Sequence, residues 1–313
     1  MNTTKAAPFT GLARVKLFLA LSRTPHGLLD IATPLLAALL WLGGPPDTTT
    51  IVLGILAAFA GYTAVYALND IVDYQADLEK IAQAGFQQND NYLDAALVRH
   101  PLAQGLLSMP AAIAWAGGWA LVSLVAAYRL NPVCAYILVA GCLLEAGYCL
   151  LLKVSRLRVL VSGVVKTLGG LAAVFAVDRS PDPALLVLLF LWLFFWEIGG
   201  QNVVADWHDI EEDRALNAKT IPVSFGPHSA SIIVLVSLSI SVVLSGVLFW
   251  QAPLALPHIL FAAVLVTGFL LLLLPALRLF RTQSRDQASA LFNSASYYPS
   301  SLLIIMLIAL MFS

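Results

Sequence analysis

A chain of 313 residues that is 60% hydrophobic and only 11% charged would present an improbably apolar surface to water, so its composition excludes an ordinary soluble fold and indicates an integral membrane protein. A formal net charge of −1, with no basic face interleaved with aromatics, argues against a nucleic-acid partner. Cys134, Cys142 and Cys149 form no CxxC pair and read as small packing residues rather than a redox or zinc site.

Residues 1–27 read as a cytoplasmic N-terminal arm, partly amphipathic through Val15, Leu17, Phe18 and Leu21. The apolar run that follows is a retained helix and not a cleaved signal, because Asp30 and Pro34 interrupt it and many further runs come after. Residues 28–313 form a single transmembrane domain. Runs long enough to cross the hydrocarbon layer of about 30 Å fall near 28–46, 48–69, 106–127, 132–152, 159–177, 183–204, 230–250, 257–280 and 298–313. They lack the alternation of a membrane barrel, and backbone groups in lipid must be satisfied within their own segment, so the expected fold is all-α: a multi-pass bundle of nine transmembrane helices.

Basic residues orient the bundle. With the N-terminus in the cytoplasm, the cytoplasmic segments hold Lys5, Arg14, Lys16, Arg23, Lys80, Arg99, Lys153, Arg156, Arg158, Arg214, Lys219, Arg278, Arg281 and Arg285, against Arg129 and Arg179 outside. In a prokaryotic cell this would be the inner membrane.

The second and sixth runs end alike. Asn69 is followed by Asp70, Asp73 and Asp77, and Asn202 precedes Asp206, Asp209 and Asp213, so each run ends in carboxylates at offsets 0, 3 and 7. At about 100° per helical residue these lie on one stripe, and the topology puts both stripes at the same face. A lone acidic helix end is usually a hydrated cap, whereas two matched ones repel unless a hard cation with a taste for oxygen ligands joins them. Magnesium fits, bridging to the phosphates of an anionic substrate. Asn69 and Asn202 would orient carboxylates or offer a carbonyl oxygen. Lys153, Arg156 and Arg158 in the turn after the fourth run, and Arg214 and Lys219 after the second cluster, are candidates for phosphate oxygens left uncovered. Tyr148 is a further candidate. Asp30, Glu145, Lys166 and Glu197 fall inside runs, where exposure to lipid is costly, so they should face the interior, Lys166 pairing with Glu145 or Glu197.

These segments resemble the UbiA-type intramembrane prenyltransferase superfamily, of the 4-hydroxybenzoate polyprenyltransferase kind. Its NDxxDxxxD signature appears as Asn69 to Asp77 and its DxxDxxxD signature as Asp206 to Asp213, supported by Arg23-Thr24-Pro25, Pro101 to Gly105 and Lys219 to Val223. The resemblance implies a nine-helix prenyltransferase bundle with both motifs holding magnesium and the diphosphate of an isoprenoid donor. It implies metal ligation by Asp70, Asp73, Asp77, Asp206, Asp209 and Asp213, and diphosphate binding by Arg23, Asn69, Tyr148, Lys153, Arg156, Asn202, Arg214 and Lys219. Asp73, Asp77, Lys153 and Asp209 are the expected catalytic set. The acceptor would be aromatic, the surroundings membrane lipid, and no obligate protein partner is expected. Phe194, Phe195 and Trp196 would line the reaction cavity.

The chain also departs from that pattern. Residues 81–98 form a long polar stretch without a Lys or Arg, His100 precedes Pro101, and Tyr148 and Lys153 stand five apart where the family spaces them by four. The acidic loop Phe86 to Asp94 would act as a lid over the mouth. A terpene cyclase of the same fold, prenyl transfer to a non-aromatic acceptor and, more distantly, an ion-coupled transporter are the alternatives.

Overall fold

The computed structural model describes residues 11–84, 93, 96–254 and 257–312. Among these, nine helices are long and apolar enough to cross a membrane, as expected, and no strand occurs. Helix α1 (Leu12–Leu21) precedes the first span, α2 (Thr24–Leu42). Then come α3 (Thr48–Val72), a short α4 (Tyr74–Ala84), α5 (Met109–Leu130), α6 (Pro132–Leu150), α7 (Arg158–Val177) and α8 (Pro183–His208). A short α9 (Ile210–Ala215) leads into α10 (Ile221–Gln251), α11 (His258–Thr282) and α12 (Arg285–Met311).

Polar caps fix where the spans begin. The Asp47 carboxylate accepts from the Thr50 N–H at 3.0 Å, and Asp182 accepts from the Ala184 and Leu185 N–H groups at 2.8 and 3.0 Å, with Pro183 in the first turn where no N–H is needed. Asn131 does the same for α6. The last span begins much earlier than the apolar run starting at residue 298 suggests. Its polar first half is buried inside the bundle: the Ser296 hydroxyl donates to the Phe292 carbonyl at 2.8 Å and accepts from Gln201, while Ser289 meets His208 at 2.9 Å.

The spans form a ring in the order α3, α5, α6, α7, α8, α10, α11, α12 and α2, with α2 also packing inward on α7. One side of the ring is solid. Trp192, Trp196, Phe249 and Tyr298 are almost fully buried there, and the Tyr298 hydroxyl donates to Ser245 at 2.8 Å. Close approach on this side depends on Gly200, where a Cβ would lie 2.9 Å from the Ala295 Cβ. The other side is hollow, because small residues face inward: Ala57, Ala58, Gly61, Gly141, Gly169, Ala172 and Ala176 all line one cavity of about 590 Å³. It extends from the acidic helix ends to Pro45, Pro46, Leu130 and Val177 at the opposite ends of the spans, so it traverses the bundle.

Replacing Gly200 by Val should lower stability by about 1–3 kcal/mol through overpacking, whereas Gly117→Val, at a position with nothing within 4 Å, should not. Thermal unfolding in detergent checks this; equal melting temperatures would contradict the packing described.

Candidate active site

The helix carrying the first motif does not run straight through it. Helix α3 ends at Val72, α4 starts at Tyr74, and Asp73 sits at the break with φ −81° and ψ 1°. The second motif repeats the arrangement, with Asp209 between α8 and α9 at φ −97° and ψ 14°. A single unbroken helical stripe is therefore corrected to a stripe with a bend at its middle aspartate. The i→i−4 bonds survive the bend: Asp73 N–H to Asn69 at 2.9 Å, Asp77 to Asp73 at 2.9 Å, Asp209 to Ala205 at 3.2 Å and Asp213 to Asp209 at 2.9 Å. Each set of three thus keeps its common face, and all six aspartates line the mouth of the same cavity.

Cations from several elements stand between them. Lys80, one helical turn after Asp77, lies 3.4 Å from Asp213 and 4.0 Å from Asp209, tying the two motifs together. Arg99 is 3.1 Å from Asp209, and Arg158 is 3.5 Å from Asp206 with its guanidinium 3.9 Å from the centre of the Tyr148 ring. Arg23 donates to Asn69 Oδ1 at 3.1 Å and lies 3.5 Å from Asp70. His100 Nδ1 is 2.8 Å from Asp77 and 3.7 Å from Asp70. Arg23 and His100 both adopt left-handed backbone, at φ 43° and 48°, and both serve Asp70. Such conformations cost about 1–3 kcal/mol each and persist where surrounding contacts over-determine them.

Burial and charge set the titration of this mouth. Burial, which would lower the His100 imidazole, is overcome by Asp77 and Asp70, and its pKa is raised to about 9. Burial would raise Asp77, but His100, Lys80 and Arg23 hold it below the usual carboxylate range. Asp209 is depressed against burial by Arg99 and Lys80, and Lys80 is raised against burial by Asp213 and Asp209. Asp73 is raised by burial and by the charge of Asp77, and Asp213 is raised mainly by burial.

The donor set suits a hard divalent cation. Ligand atoms of Asp70, Asp77 and His100 lie within 4.8 Å of one another, and Asp206 Oδ2 and Asn202 Oδ1 are buried without a hydrogen-bond partner while their residues line the cavity. These are mostly oxygens, as magnesium prefers. Imidazole is a poor ligand for that ion, so His100 serves better as a charged partner of the carboxylates.

Not every expected residue reaches the mouth. Arg23, Asn69, Tyr148 and Asn202 line the cavity, with the Asn202 amide donating to the Tyr148 hydroxyl at 2.8 Å. Lys153, Arg156, Arg214 and Lys219 are outside its lining: Lys153 pairs with Glu79, Arg156 stacks 4.8 Å over the Phe225 ring, and Arg214 and Lys219 are exposed. Phe194, Phe195 and Trp196 are likewise absent from the lining; Trp196 is core and donates to the Ala295 carbonyl at 3.1 Å. Lys166 pairs with Asp30 at 2.7 Å. Lys80, Arg99 and His100 were missing from the candidate set, although the three-residue step from Asp77 to Lys80 puts both on one helix face. The loop from Phe86 to Asp94 lies outside the described residues except Leu93, whose N–H donates to Asn293 at 3.0 Å.

A nine-span bundle whose two acidic helix ends converge on one cavity mouth defines an integral membrane enzyme built to receive a polyanionic headgroup. The chain belongs to the UbiA prenyltransferase family, which matches residues 31–305. It is 26% identical to a digeranylgeranylglyceryl phosphate synthase of Thermococcus sibiricus, over 82% of this chain and 84% of that one. To a 4-hydroxybenzoate octaprenyltransferase of Aromatoleum aromaticum it is 27% identical, over 73% and 74%. The fold is similar to that of a UbiA homologue from Archaeoglobus fulgidus solved with DMAPP and Mg2+, with a TM-score of 0.67 at 16% identity over 94% of this chain and 99% of that one.

Because the folded pKa of His100 is raised from 6.5 to about 9, its stabilising contribution is full below pH 6.5 and is lost as pH rises through 9. In EDTA, the melting-temperature advantage of wild type over His100→Gln should shrink across that window. An advantage that grows with pH would contradict the assignment.

Proposed function

We propose that the protein transfers a prenyl group from an isoprenoid diphosphate, bound with magnesium at the paired aspartate motifs, to an acceptor drawn from the bilayer. The observation that carries this reading is the convergence of all six motif aspartates, with Lys80, Arg99, Arg158 and Arg23 among them, on one mouth of a cavity that traverses the bundle. The division of labour follows from charge. Magnesium, when bound, supplies positive charge that stabilises diphosphate as it becomes the leaving group. Asp70, Asp73, Asp77, Asp206, Asp209 and Asp213 would hold it, with Asn202 Oδ1 as a further oxygen donor and Asn69 holding Arg23 beside Asp70.

Arg158, Lys80 and Arg23 bind diphosphate oxygens, and Tyr148 fixes the Arg158 guanidinium from below. The small-residue walls take the isoprenoid tail and exclude water from the electron-poor allylic carbon. The count of basic residues supports a cytoplasmic mouth and N-terminus.

A non-aromatic acceptor is supported by the likeness to the digeranylgeranylglyceryl phosphate synthase of Thermococcus sibiricus, which spans 82% of this chain against 73% for the 4-hydroxybenzoate octaprenyltransferase of Aromatoleum aromaticum. Transfer to an aromatic ring is the second reading, supported by the latter relatives.

Purified protein in nanodiscs, given geranylgeranyl diphosphate and Mg2+, should release diphosphate only with an acceptor. Asp70→Asn and Asp206→Asn should each lower turnover by at least about 100-fold while leaving a folded, inserted protein. Substantial turnover in both variants would overturn the paired site, and release without acceptor, accompanied by a cyclic hydrocarbon, would replace transfer by cyclisation.

A further inference from the structure

Below the mouth, the cavity wall changes from cationic to acidic. Glu145 and Glu197 line it, with Lys166 and His26 as the basic side chains beside them, and Asp30 lies outside the lining. Lys166 is committed to Asp30 at 2.7 Å, a carboxylate that also accepts from the Tyr66 hydroxyl and has His26 3.7 Å from its other oxygen. Glu145 accepts from the Asn69 amide at 2.7 Å. Glu197 is 7% exposed; its Oε1 accepts from the Ser162 hydroxyl at 2.7 Å, and its Oε2 is buried with no partner. The Tyr62 hydroxyl, from the α3 wall of the same cavity, is also buried with no partner.

Backbone geometry turns Glu197 towards the face that carries the second motif. In an unbroken α-helix the nine residues from Glu197 to Asp206 would rotate by about 900°, placing the two side chains on opposite faces. Residues Glu197–Asn202 instead form a π-helical turn, whose wider i→i+5 pairing rotates less per residue and leaves Glu197 and Asp206 about a quarter turn apart rather than opposed. Asn202 and Asp206, four apart, then share a face by the ordinary rule. Glu197, Asn202 and Asp206 all line the cavity, with Glu197 about 12 Å deeper than Asp206 by helical rise. That depth removes it from the metal-binding carboxylates and puts it on the tail side of the headgroup.

We infer that Glu197, with Ser162 behind it and Tyr62 facing the same space, forms an acceptor subsite for a neutral hydroxyl group, and that Glu197 Oε2 receives that hydroxyl's proton. The inference rests on the transfer reading above. An acceptor carrying its own carboxylate or phosphate would be placed beside Glu145 and Glu197 in a low-dielectric cavity where Lys166 already pairs with Asp30. A neutral hydroxyl meets no such repulsion and satisfies the orphaned oxygen. In the step, the bond between the allylic carbon and the diphosphate oxygen breaks and diphosphate leaves with the electron pair. The acceptor hydroxyl oxygen supplies the pair for the new carbon–oxygen bond, and its proton passes to Glu197, so the product is a prenyl ether. The hydroxyl belongs either to a lipid alcohol or to an uncharged phenol.

The test uses the full chain in nanodiscs with geranylgeranyl diphosphate, Mg2+ and two matched acceptor pairs: 1-O-hexadecylglycerol against its 3-phosphate, and 4-methylphenol against 4-hydroxybenzoate. Wild type should favour the neutral member of at least one pair by about tenfold or more in kcat/KM, and the pair that responds identifies the source of the hydroxyl. Glu197→Gln should lower kcat on that neutral acceptor by about 100-fold, with Glu197→Asp partly restoring it and with affinity for geranylgeranyl thiodiphosphate held. If Glu197→Gln does not insert, Tyr62→Phe, which removes only the facing hydroxyl, should raise KM for the neutral acceptor and leave thiodiphosphate affinity unchanged. Preference for the charged members, turnover of neither neutral acceptor, full kcat in Glu197→Gln, or an unmoved KM in Tyr62→Phe would overturn the subsite. Failure of wild type to bind the thiodiphosphate would instead remove the transfer reading itself.

Discussion

Mutual repulsion among six aspartates gathered at one cavity mouth, Asp70, Asp77 and Asp213 of them buried, is the constraint to which the rest of the molecule answers. Carboxylates at the mouth of a low-dielectric cavity raise one another's pKa and push their helices apart unless positive charge stands between them. The protein meets this with side chains from widely separated segments: Arg23 before the first span, Lys80 after the first motif, Arg99 and His100 before the third span, and Arg158 at the start of the fifth. The opposed responses of Asp77, held low, and Asp73, raised, show that compensation is uneven. That unevenness is what leaves room for a further cation.

The architecture divides its labour along the same line. The side built from α8, α10, α11 and α12 is close-packed around Trp192, Trp196, Phe249 and Tyr298, and it anchors the second motif. The side built from α2, α3, α6 and α7 gives up packing, since alanines and glycines leave space where larger residues would fill it. A close-packed wall facing a hollow one holds the second motif in place while the cavity keeps room for a long apolar occupant. The π-turn at Glu197–Asn202 belongs to the close-packed wall and re-aims one face of α8 towards the hollow one.

Much of this was legible in the residues, and the parts that were not share a physical cause. Apolar length located all nine spans, because satisfying backbone polar groups in lipid leaves few choices. The start of α12 was missed because Ser289 and Ser296 look hydrophilic, yet their hydroxyls are satisfied within the bundle. The motif spacing put each set of three aspartates on one face, while the bends at Asp73 and Asp209 were invisible to a periodicity argument. Local sequence also could not tell which cations turn inward. Lys153 sits close to the mouth in sequence terms but pairs with Glu79, whereas Arg99 and His100, beyond a long polar stretch, return to the motifs. Glu197 was recognisable as a misplaced charge, but its turn into the cavity that Asp206 also lines depends on a π-turn that no side-chain pattern announces.

The most direct measurement is anomalous diffraction from crystals grown with Mn2+ and geranylgeranyl thiodiphosphate. The account predicts metal peaks at the shared mouth, within ligand distance of aspartates from both motifs, with the thiodiphosphate between them and its tail running into the cavity beside Gly61 and Gly169. Metal at one motif alone, or a headgroup seated at the opposite face of the bundle, would contradict it.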